Sequence, residues 1–132
     1  MGWDGNNDSH DPSGLPWKTN RLVSYDLQTG RTLWSLGGGE SRESFDLALA
    51  GSYFYGTPAV DGEELFVVAG KGDDIKLWSL DRKTGIPQWS QLIAYADTKI
   101  DLDLARRWIT SQVAVGDGII ICPTTVGWLV AI

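Results

Sequence analysis

Two twelve-residue stretches of this chain carry the same residues at the same spacing. Ser24-Tyr25-Asp26-Leu27-Gln28-Thr29-Gly30-Arg31-Thr32-Leu33-Trp34-Ser35 is repeated as Ser79-Leu80-Asp81-Arg82-Lys83-Thr84-Gly85-Ile86-Pro87-Gln88-Trp89-Ser90, and the two tryptophans stand 55 residues apart. A second register marker agrees: Ala114-Val115 follows Ala59-Val60 by the same 55 residues. A third copy begins at Ala131-Ile132, and the sequence stops where its Asp would follow. A period well above 20 residues points to an array of stacked supersecondary units, none of which can bury its apolar surface alone.

Each copy reads as strand, turn, strand. Leu22–Tyr25 and Leu77–Leu80 are short β-favouring runs, each followed by Asp-x-x-Thr-Gly. Asp26 and Asp81 can accept hydrogen bonds from backbone N–H groups two or three residues on. Gly30 and Gly85 stand where a reversal needs positive φ, which Gly adopts without steric cost. Trp34 and Trp89 return on the second strand, where a large ring at a fixed repeat position predicts a wedge between units with its N–H on a buried carbonyl. On that reading Trp89→Ala costs about 3–5 kcal/mol. Leu77 points one way and Trp78 and Leu80 the other, so the strands are apolar on both faces, as in sheets stacked between neighbours. Radial stacking of four-stranded sheets is the propeller solution.

The pattern Ser-x-Asp-x-x-Thr-Gly-x-x-x-Trp resembles the tryptophan-docking motif of quinoprotein-type (PQQ-like) β-propeller repeats, over roughly Arg21 to Ile132. The resemblance implies an all-β chain of four-stranded antiparallel blades. About two to two-and-a-half blades do not close a ring, because propellers need about four to eight. The expected organisation is a polar lead-in loop (1–20), a partial blade (21–36), a complete blade (57–93) and a partial blade (113–132), with insertions between them. In that family Asp26, Thr29, Gly30, Trp34, Asp81, Thr84, Gly85 and Trp89 have structural roles. The family holds PQQ-dependent alcohol dehydrogenases, non-catalytic propellers such as the lipoprotein of the outer-membrane barrel-assembly machine, and exported proteins of unassigned role.

The resemblance therefore implies three functions: an interaction or scaffold propeller in the periplasm or cell envelope, a piece of a PQQ-dependent dehydrogenase, or a ligand-sensing domain of a larger protein. The dehydrogenases of this family use an acidic calcium site, a catalytic Asp and typically a vicinal cysteine pair. Cys122 stands alone and no acid of this sequence matches that site, so no catalytic residue and no cofactor is assigned. PQQ and calcium are expected only if other parts of the chain supply the site. The scaffold reading is favoured, with the open edges taken up by further blades or by another protein.

Composition narrows the partners. A net charge of −6 and a pI near 4.5 argue against nucleic acid, whose phosphates need a basic face. There is no basic run for an anionic membrane surface and no apolar run of spanning length. The first twenty residues are polar, without a signal-peptide pattern, which is unusual for the family and suggests an internal start or a missing upstream piece.

The remaining motifs are weaker. Asp4-x-Asn6-x-Asp8 has the alternate-oxygen spacing of a calcium loop, but Ser9 and Leu15 stand where Gly and Glu belong. His10 lacks a Cys or His partner for zinc. Gly37-Gly38-Gly39 lacks the context of a phosphate loop and reads as a flexible linker. Tyr53-Phe54-Tyr55, in the 37–56 insertion, reads as core sooner than as a ligand cage. Asp73-Asp74 is a hairpin tip, and Cys122 a buried small hydrophobe. A short helix over 97–109 is expected to carry an Asp103–Arg107 pair, with Arg106-Arg107 on a solvated face.

Overall fold

Alternation along the strands decides the architecture. In the computed structural model, which describes residues 19–39, 49–100, 102–103, 105–106 and 112–132, nine strands form three antiparallel sheets. The first holds β1 (Arg21–Tyr25) and β2 (Thr32–Gly37). The second is β3 (Tyr53–Asp61), β4 (Glu64–Lys71), β5 (Asp74–Asp81) and β6 (Pro87–Tyr95), in that spatial order. The third is β7 (Ala114–Gly116), β8 (Ile119–Pro123) and β9 (Leu129–Ala131).

The second sheet is a wall between two cores. Phe66 and Val68 of β4, with Ile75 and Leu77 of β5, bury against Val113, Ile120 and Cys122 of the third repeat unit. The intervening residues, Val67, Ala69 and Leu80, bury on the opposite side with Leu36, flanked by Leu22, Trp34 and Trp78. Period-two alternation thus sends one residue set to each neighbouring sheet, and Leu77 and Leu80 are both wholly buried. This is the stacking of an incomplete β-propeller.

Tight turns set the registers. Gly62 and Gly72 open two-residue loops with positive φ (58° and 60°), and Asp117-Gly118 has positive φ at both positions (51° and 76°). These are the mirror-image turns whose twist suits a hairpin. The strand β3 starts at Tyr53, four residues before the expected edge of the complete blade. It enters through an irregularity between Tyr55 and Ala59, so residues read as insertion belong to the sheet.

The calcium-like spacing at Asp4, Asn6 and Asp8, and His10, lie outside the described residues. Of the helix expected over 97–109, helical backbone is found at Ala105 and Arg106, with a turn at Leu102; residues 101, 104 and 107–109 lie outside the described set, and no helical element is established. The Asp103–Arg107 pair likewise falls outside it. Asp103 instead accepts from Arg106 Nε at 2.8 Å, and Arg106 Nη2 also donates to the Thr98 carbonyl. Arg106 is therefore buried and paired, not on a solvated face as its charge suggested. Gly37 and Gly38 are a second correction. Both are buried, with φ of 82° and 87°, and a Cβ on Gly37 would lie 2.5 Å from the Phe54 ring. They are a fixed corner.

Candidate functional site: the repeated turn and its tryptophan

The two motif turns make matching hydrogen bonds, with lengths that agree to within a tenth of an ångström. Asp81 Oδ1 accepts the N–H groups of Lys83 (2.9 Å) and Thr84 (2.8 Å), and the Thr84 hydroxyl (3.0 Å). Asp26 Oδ1 accepts those of Gln28 (2.8 Å) and Thr29 (2.9 Å). Each loop is closed by two backbone bonds, Gly85 N–H to Asp81 O and Asp81 N–H to Ile86 O in one, Gly30 N–H to Asp26 O and Asp26 N–H to Arg31 O in the other, all 2.8 Å. Gly30 and Gly85 take φ of 71° and 73°. The hydrogen bonds hold both carboxyls below the ordinary aspartate range, the Thr29 N–H being the largest influence on Asp26 and the Thr84 N–H on Asp81.

A bulge then aims the tryptophan. Ser24 pairs with Trp34 and Tyr25 with Thr32, so Leu33 is the extra residue; Ser79 pairs with Trp89 and Leu80 with Pro87, so Gln88 is. The bulge puts the ring on the same face as the paired serine. Nothing in the sequence marks it.

The two rings end in different surroundings. Trp34 of the first sheet lies over the turn of the second: its Nε1–H donates to the Arg82 carbonyl at 3.2 Å, and a Cβ on Gly85 would sit 2.7 Å from its Cδ2. Glycine is required there twice, for φ and for the close approach. The accepting carbonyl belongs to an exposed residue, not a buried one as expected, while Gly85 beneath the ring is buried. Trp89 is 38% exposed and rests against Phe66, with centroids 5.9 Å apart. Trp89 is therefore no wedge among the described residues, and the 3–5 kcal/mol expected for its removal does not carry over. Gly30, the counterpart of Gly85, is exposed, with nothing within 4 Å of a Cβ.

Asn20 is the residue that sequence reasoning missed. Its amide acts as one more rung of ladder: Phe54 N–H donates to Oδ1 at 2.7 Å, and Nδ2 donates to the Phe54 carbonyl at 2.9 Å. Its own carbonyl accepts Gly38 N–H at 2.9 Å. One residue, through its side chain and its backbone carbonyl, thereby ties β3 to the corner that ends β2. Glu63 joins the β3–β4 turn to the motif turn, through Lys83 at 3.0 Å and Arg82 at 3.9 Å. These ion pairs are exposed and worth under about 1 kcal/mol each.

The other candidates are not brought together. Phe54 buries in one core and Tyr55 in the other, with Tyr53 beside it at 5.5 Å between ring centroids, so the three cannot form one cage. Burial pushes the Tyr55 phenol up. The Asp73 carbonyl accepts Ala96 N–H, and the Asp74 carboxylate pairs with Lys76 at 3.6 Å. Cys122 is wholly buried and its thiol is pushed up by that burial. Among the described residues no three His, Cys, Asp or Glu side chains cluster for a metal, and no helix is long and apolar enough to cross a membrane.

Stacked antiparallel sheets with a repeated Asp-x-x-Thr-Gly turn and a tryptophan laid on the next sheet's glycine define a propeller-repeat protein. A family model described as outer membrane protein assembly factor BamB matches residues 16–132, and the chain belongs to this family of PQQ-like repeats. No curated protein and no solved structure matches the chain.

Proposed function

We propose that the chain is part of a non-catalytic β-propeller that works as an interaction and scaffold module of the cell envelope, and that its eight motif residues are tryptophan-docking elements. The observation behind this is where the motif's polar groups are spent. Both carboxylates accept N–H groups of their own turns, and the Trp34 N–H goes to the neighbouring sheet. The bonded groups of the repeated residues close their own turns and, at Trp34, join the first sheet to the second. The description of the matched family, an outer-membrane assembly factor, supports the same reading and the envelope location.

The test is made on the native protein in its own cells. Photo-crosslinkers at exposed Tyr25, Leu33 and Tyr95 are expected to capture an envelope protein at defined positions. Stoichiometric quenching of tryptophan fluorescence by PQQ with calcium, accompanied by alcohol oxidation, would replace the scaffold with the dehydrogenase.

A further inference from the structure

We draw no further inference here: the strongest candidate, the uncharged outer edge that β6 (Pro87–Tyr95) presents along the second sheet, carries nothing, because nothing in the structure shows what covers it.

Discussion

Alanine at Gly85 and at Gly30 imposes the same backbone penalty in two different surroundings. Both residues hold φ near 70° in turns with matching hydrogen bonds. Left-handed backbone costs a residue with a Cβ about 1–2 kcal/mol. At Gly30 that is the whole effect in the isolated chain, because nothing lies within 4 Å of the new carbon. At Gly85 the Cβ would lie 2.7 Å from Cδ2 and 2.8 Å from Cε3 of Trp34, so the indole must move off the turn. Moving it gives up the bond to the Arg82 carbonyl, worth roughly 1 kcal/mol. It also returns part of the ring to water, a further roughly 1–2 kcal/mol at the usual area coefficient. Gly85→Ala is therefore expected to destabilise by about 2–3 kcal/mol more than Gly30→Ala. Urea unfolding at low protein concentration, followed by far-UV circular dichroism, measures both, with equal m-values as the check on two-state behaviour. Losses that agree to within about 0.5 kcal/mol would show that the ring contributes nothing where it lies, and would refute the reasoning.

Asn20→Ala removes a two-way bridge and leaves the Phe54 N–H and carbonyl without their side-chain partner; a loss of about 1–3 kcal/mol is expected in the same urea assay. The carboxyls of Asp26, Asp81 and Asp103 are held below 3.8 in the folded chain, so their contribution is fully present above that pH and lost as pH falls through the lowered folded values. Stability is thus expected to fall as pH drops below about 3.8, and by less in an Asp26→Asn, Asp81→Asn double variant, as read by urea midpoints along a pH series. Cys122, buried and with its thiol pushed up, is expected to resist iodoacetamide at pH 8 in the native chain and to react at once in denaturant, with mass spectrometry as the readout.

The sequence showed the parts of the fold that repeat. Asp26 and Asp81 announced their turns because an Asp carboxylate three residues before a Thr N–H, with Gly next, has few other local solutions. Leu77 and Leu80 announced burial on both faces, and the structure places them in separate cores. What could not be read depends on contacts far along the chain. Asn20 and Phe54 are 34 residues apart and share no pattern. The glycines at 37 and 38 look like any flexible run until the Phe54 ring and the Arg21 guanidinium are placed beside them. Arg106 looked solvated because its burial depends on Asp103 and on the Thr98 carbonyl meeting it. The fates of the two tryptophans were illegible for a related reason: the motif fixes how each ring is aimed and says nothing of whether a neighbouring turn stands beneath it.

A wall that belongs to two cores also sets an order of events. The second sheet contributes residues to both hydrophobic clusters, whereas among the described residues the first and third sheets each reach one. Stability in such an array is a sum over neighbours, and the middle member has two. Amides of β4 and β5 should therefore exchange with deuterium only on global opening, while those of β1, β2, β8 and β9 exchange through smaller openings at either end. Trp34 is then expected to leave Gly85 in an opening of the first sheet that keeps β4 and β5 protected.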